Sequence, residues 1–143
     1  MKKTRRIILL FALVIFACPS FSAFAAQKVD LDLTKLNSMM TYSSVMNILM
    51  DPDKYLGKTI KIQGLFDSAQ DPDTGTDYFA VAIMDAAACC AMGLDFSPKK
   101  EYNYKFPEDF PEIGAKITVV GRLEKYSEGD DIYYQLAEAD MFK

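Results

Sequence analysis

The sequence predicts an all-β fold, a five-stranded barrel preceded by a short N-terminal helix. Two observations predict it. Five segments beyond residue 58 carry strand patterning between turn-forming residues. Within them, Gly57-x-x-Ile60-x-Ile62-x-Gly64-x-Phe66 is echoed by Gly114-x-x-Ile117-x-Val119-x-Gly121-x-Leu123 at identical spacing. Each copy sets a glycine partway along a strand, where a strongly bent strand needs a bulge or a kink.

Residues 1–25 read as an export signal. Lys2, Lys3, Arg5 and Arg6 form a basic end and Ile7 to Ala17 an uninterrupted apolar run. Pro19 breaks the run, and Ala23-Phe24-Ala25 supplies a small-x-small cleavage pattern. The run is shorter than the roughly 20 residues that a membrane-spanning helix needs. Cleavage is expected after Ala25, with the mature chain starting at Ala26. A second reading uses Cys18, because Ile15-Phe16-Ala17-Cys18 resembles a bacterial lipobox whose cysteine is acylated, with a bulky Phe16 in place of a smaller residue. Either way the expected location is periplasmic or extracellular. Membrane contact is expected only through lipid on Cys18.

Residues 26–42 are expected to be a lead-in, polar and loose over residues 26–35, and residues 43–143 the folded domain. A short helix is expected over Ser43 to Met50, capped by Ser43 or Ser44, with Val45, Ile48 and Leu49 on one face. Asp51 can cap a single turn that starts at Pro52 and ends at Gly57. Strands follow at Thr59 to Phe66, Tyr78 to Met84, Gly93 to Phe96, Lys116 to Tyr126 and Ile132 to Ala137. Tyr78 to Met84 is apolar on both faces, which marks it as central. Asp71-Pro72-Asp73-Thr74-Gly75 and Ser127-Glu128-Gly129-Asp130 are turns by composition. Five strands with long, coiled first and fourth members fit an oligonucleotide/oligosaccharide-binding (OB) barrel. An SH3-like barrel and a small sandwich are the alternatives.

The stretches DPDKYLGKTIKIQGLF, YFAVAIMDAAACCAMGLDF and VVGRLE carry a family resemblance. Over residues 51–137 the chain resembles a set of uncharacterised exported bacterial OB-fold proteins of the tRNA-anticodon-like type. More distantly it is similar to a membrane-associated bacterial family whose C-terminal domain has a Cys-Cys-Ala-Ala-Asp signature. The first resemblance implies an OB barrel, and the second implies a part in metal handling. The sharpest shared element is Cys89-Cys90-Ala91 followed by Gly93-Leu94. This chain has Met92-Gly93 where the distant family places alanine and aspartate.

Charge bears on the partners. The chain carries a net charge of −4, and removal of residues 1–25 takes four of its 16 basic residues and none of its 20 acidic ones, leaving −8. Nucleic-acid binding rests on Lys and Arg neutralising phosphates, so no nucleic-acid partner is expected. The chain contains no histidine. Nucleophilic catalysis by Ser43, Ser44 or a cysteine therefore lacks its usual base, and no enzymatic activity is expected.

Cys89 and Cys90 are the candidate site, as a metal-ligating pair. Adjacent Cα atoms lie about 3.8 Å apart, below the usual disulfide range, so a bond between the two would be strained and easily reduced. In a regular strand their side chains would point to opposite faces, and the run Asp85-Ala86-Ala87-Ala88 is where the chain can turn to bring them together. Three readings follow: small apolar fillers of a tight connection, a Zn²⁺ or Cu(I) site helped by Met92, Asp85 or Asp95, and a redox-active vicinal disulfide. Four-ligand zinc would need carboxylates or a second protein chain.

Weaker candidates accompany the pair. Asp71, Asp73 and Asp77 alternate as calcium ligands do, but lack the downstream glutamate of an EF-hand. Tyr78, Tyr102, Tyr104, Tyr126, Tyr133 and Tyr134 are good strand residues that can also stack on a sugar or peptide ligand. Met39, Met40, Met46 and Met50 read as adaptable core filler rather than copper ligands. The function expected is an exported, non-enzymatic binding module that holds a soft metal at Cys89-Cys90. The alternatives are a thiol-redox protein and a scaffold that docks a protein or glycan with its cysteines structural.

Overall fold

The computed structural model describes residues 28–143, so residues 1–25, expected to be an export signal, and Cys18 lie outside the described residues. The chain is mostly β. Strands β1 (Leu31–Asp32), β2 (Thr59–Gln70), β3 (Asp77–Met84), β4 (Ala91–Pro98), β5 (Lys116–Glu128) and β6 (Asp131–Phe142) form one sheet, and among the described residues one α-helix, α1 (Ser38–Met50), precedes β2. Single 3-10 turns occupy Leu33–Lys35, Pro52–Tyr55 and Lys100–Tyr102. The sheet order is β1-β2-β3-β4-β6-β5, and β5 pairs back onto β2, so β2 to β6 form a ring of strands. The β4–β6 and β1–β2 pairings are parallel and the others antiparallel. No helix of the described residues is long and apolar enough to cross a membrane.

The repeated glycine motif closes the ring. Its two copies lie on β2 and β5 and pair with each other: Ile60 opposes Gly121, Ile62 opposes Val119 and Gly64 opposes Ile117. The hydrogen bonds at their ends repeat as well. Gly57 N–H donates to Leu123 O at 2.8 Å, and Gly114 N–H donates to Phe66 O at 2.8 Å. Both end glycines take left-handed conformations, φ +77° and +83°, which cost an L side chain about 1–2 kcal/mol. The inward residues of both copies (Ile60, Ile62, Phe66, Ile117, Val119 and Leu123) are fully buried.

The mid-strand glycines serve close approach. β2 leaves β5 and joins β3 at Leu65, one residue past Gly64. A Cβ on Gly64 would enter the van der Waals surface of Ala82 O. On Gly121 it would meet Leu136 Cβ at 2.8 Å, where the β5–β6 register shifts.

The ends of the ring are plugged. At one end α1 buries Thr41, Val45 and Ile48, and Thr41 Oγ1 donates to Leu33 O at 3.3 Å. At the other the β4–β5 connection inserts Phe110, whose ring stacks on Phe79 with centroids 4.2 Å apart. That connection is pinned by Lys99 Nζ, 2.8 Å from both oxygens of Asp140, and by Tyr102, which donates to the same carboxylate.

Several expectations need correction. The helix starts at Ser38 rather than Ser43, because Asn37 Oδ1 accepts Met40 N–H at 2.9 Å and caps it there. Leu49 is exposed, since it lies about 100° around the helix from Ile48. The described part of the lead-in is ordered: Asp30 N–H donates to Thr59 O at 2.9 Å, β1 lies along β2, and Leu33 is fully buried. Asp51 precedes the Pro52 turn but its carboxylate pairs with Lys54 instead of capping it. All five strands run longer than their patterning.

Gly64→Ala is expected to cost about 3 kcal/mol, because backbone blocks the new methyl group. Gly75→Ala, at φ +71° with nothing within 4 Å, should cost about 1 kcal/mol from its conformation alone. Urea unfolding of the two variants measures the difference, and equal losses would remove the close-approach argument.

Candidate functional site

The site is the turn between β3 and β4. Met84 and Ala91 are its last paired residues, and Asp85 N–H donates to Cys90 O at 3.0 Å to close it. Ala88 N–H donates to Asp85 O at 3.1 Å, and Ala88 adopts φ +54°. This left-handed residue redirects the chain, so Cys89 and Cys90 do not alternate across a strand. Their sulfurs lie 3.6 Å apart.

Asp85 organises the turn through both carboxylate oxygens. Oδ1 accepts Cys89 N–H at 2.9 Å and Cys90 N–H at 3.4 Å, while Oδ2 accepts the Cys89 thiol at 3.1 Å. Among the described residues, Asp85, Cys89 and Cys90 are the one group of Cys, Asp or Glu whose ligand atoms converge, all within 4.8 Å of one another. Both cysteines are free and exposed, so they do not fill the interior: they lie past the paired ends of β3 and β4. Of the expected auxiliary ligands, Asp85 joins the pair. Asp95 sits on β4 opposite Ala80 and Gln135, and Met92 packs against the core.

One hydrogen bond sets the protonation of the group. The Asp85 carboxylate, then the neighbouring Cys90 thiol, then burial push the Cys89 thiol above the ordinary cysteine range. The same bond from the Cys89 thiol holds Asp85 below the usual carboxylate range. At neutral pH the corner is therefore an ionised carboxylate facing a protonated thiol. Catalytic and redox cysteines have the opposite surroundings, since cations lower their pKa.

Two neighbours flank the corner. Asp85 also lines a cavity of about 410 Å³, with Leu33, Leu36, Leu65, Ile83 and Met84 among its walls. Tyr42 on α1 lies near enough for burial and the charges of Cys90, Asp85 and Cys89 to raise its hydroxyl pKa. The methionines of α1 are not core filler. Met39, Met40, Met46 and Met50 are all exposed, with Met50 reaching 80%.

The remaining candidates have structural roles. Asp71 accepts Asp73 N–H at 2.8 Å and the Thr74 hydroxyl at 2.8 Å, so it builds its own turn, while Gln70 donates to Asp77 at 3.0 Å. The alternating aspartates thus do not converge on a shared point. Tyr78 donates to Glu128 at 2.7 Å, tying β3 to the end of the β5–β6 hairpin across a groove of about 250 Å³. Tyr126 and Tyr133 stack on that hairpin, and Tyr134 donates to Asp53 at 3.2 Å.

Comparison with protein-family models, with curated proteins and with solved structures finds no match.

Asp85→Asn keeps the acceptor for the two N–H groups and removes the charge. Alkylation of Cys89 at pH 8 is expected to accelerate severalfold, read by mass spectrometry, and an unchanged rate would mean the carboxylate does not control the thiol. A second expectation concerns Tyr78, whose hydroxyl is pushed from 10.0 to about 12, chiefly by its bond to Glu128. The clamp is then fully present below pH 10 and lost as pH rises through about 12. Tyr78→Phe should remove the latest-titrating tyrosine from the alkaline absorbance curve.

Proposed function

We propose that this protein is an exported, non-enzymatic OB-fold binding module that holds a soft metal ion, Zn²⁺ or Cu(I), at Cys89 and Cys90, with Asp85 beside them. The observation that carries the metal reading is the convergence of two sulfurs 3.6 Å apart and a carboxylate on one exposed turn. Thiolates suit both ions, and zinc also takes a carboxylate oxygen.

Support for the OB barrel is the pairing order. Without the two-residue β1, each of β2 to β6 pairs with two others, and the third and fifth of them are parallel. The mid-strand glycines of β2 and β5 fit the strong coiling that a small closed barrel needs. Support for export is the basic, apolar and small-residue order of residues 1–25.

The thiol-redox alternative has less support. A vicinal disulfide used in exchange needs a thiolate at neutral pH, and the carboxylate beside Cys89 opposes one. The scaffold reading accounts for the Asp85 bonds that hold the turn but not for two exposed sulfurs brought 3.6 Å apart.

Anaerobic purification followed by metal analysis and thiol counting tests the proposal. Stoichiometric Zn or Cu is expected, and it should be lost in the Cys89→Ser, Cys90→Ser double variant. Two free thiols without metal, with no uptake of added Zn²⁺ or Cu(I), would sink it. Thiols that react only after mild reduction would favour the disulfide instead.

A further inference from the structure

We propose that the metal site is completed by a second copy of this chain, so that one divalent ion joins two subunits through Cys89 and Cys90 of each. The inference rests on the reading of the corner as a metal site. It goes further by naming the missing ligands and the partner.

The first argument is coordination. A structural zinc ion takes four ligands in a tetrahedron. The corner supplies two thiols, while its carboxylate is engaged through one oxygen by two backbone N–H groups and through the other by the Cys89 thiol. The chain has no histidine, and no other Cys, Asp or Glu among the described residues converges there. One chain alone leaves the ion open to water.

The second argument is geometric. Two sulfurs each about 2.3 Å from a tetrahedral ion lie roughly 3.8 Å apart. The observed 3.6 Å separation therefore spans one edge of such a tetrahedron with little rearrangement. Both cysteines are exposed, so a partner chain can reach the opposite edge. A second pair related by a two-fold axis through the ion fills that edge, the isologous arrangement usual for dimers.

The third argument is the surface beside the corner. Helix α1 packs against β3 and β4, the strands that carry the turn. Its thirteen residues include no charged side chain, although the chain as a whole carries −4. It presents Met39, Met46, Leu49 and Met50 to solvent at 65%, 45%, 47% and 80% exposure. An uncharged apolar helix face on an acidic domain marks a contact surface. A second copy brings the same face and the missing thiols together, which no unrelated partner does by symmetry.

Charge opposes the contact, so assembly depends on the bonds between the ion and the four sulfurs. Two copies of an acidic chain repel each other. Binding proceeds as M²⁺ + 4 R–SH → M(SR)₄²⁻ + 4 H⁺, with the protons released to solvent, so assembly strengthens as pH rises. Asp85 then remains beside the site, holding the turn through its N–H bonds.

The test titrates the metal-free, phosphine-reduced protein with Zn²⁺ while light scattering reports mass, and repeats it with Co²⁺ while absorbance reports sulfur ligation. Expected are a dimer at one ion per two chains and a four-thiolate cobalt spectrum. Met46→Glu with Leu49→Glu should weaken dimer formation at least tenfold, with the cysteines still titrating as two free thiols. One ion bound per monomer would overturn this inference and leave the metal reading standing. No binding of either ion would overturn both. A dimer that forms without metal and survives Cys89→Ser with Cys90→Ser would also overturn it, because the helix face alone would then account for assembly.

Discussion

The ring depends on the pairing of two near-copies of one motif. β2 and β5 meet so that each places its glycine opposite the other's isoleucine. The isoleucines fill the interior at those levels while the glycines let neighbouring backbone approach. Without this pairing β2 and β5 would both present open edges, and the ring would be a sheet with two unsatisfied borders. The other pairings follow from it. Once β2 turns away from β5 past Gly64, its second half is free to carry β3, and β3 carries β4. The thiol turn is the far end of that β3–β4 hairpin, so its position traces back to a bend made possible by a missing methyl group.

The strands were legible because alternation survives in their inner halves. Ile60 and Ile62, Ile117 and Val119, and Val81 and Ile83 are buried as their spacing indicates. Their outer extensions were not legible. Asp67, Ser68, Ala69 and Gln70 show no alternation, yet they pair with Ala80 back to Asp77, because a neighbour supplies the hydrogen bonds. In β6 the alternation breaks at Leu136 and Ala137, which are adjacent and both buried, next to the register shift at Glu138 with its φ of +48°. β1 and the true start of α1 were missed for a related reason. Two residues cannot show a period, and Asn37 outcompetes Ser43 as a cap only because Leu33 and Thr41 anchor the first turns against the ring.

At the site, the pair itself and the need for a turn could be read from Asp85-Ala86-Ala87-Ala88-Cys89-Cys90. The conformation that brings the sulfurs together could not. A left-handed residue usually announces itself as glycine or asparagine, and here it is Ala88. Its cost is offset by the backbone bond that closes the turn and by three bonds to Asp85, which no spacing rule foretells. The exposed methionines were misjudged because hydrophobic spacing does not say which side of a helix the core occupies. Thr41, Val45 and Ile48 form the buried stripe, and a threonine in it hides its register.

The carboxylate beside the thiols separates the two kinds of chemistry a vicinal pair can support. Exchange with a disulfide needs a free thiolate before any partner arrives, so its surroundings must be electropositive. Metal binding needs the thiolate only once a cation is present, and a nearby carboxylate is then a help. Asp85 raises the cost of an unpaired thiolate and lowers the cost of a bound cation, with one charge at one place. A corner built this way stays protonated and slow to react until a cation displaces the proton. Its donors are then all attracted to the same point. That asymmetry, set by a single hydrogen bond between Asp85 and Cys89, is the physical reason to prefer the metal reading over the redox one.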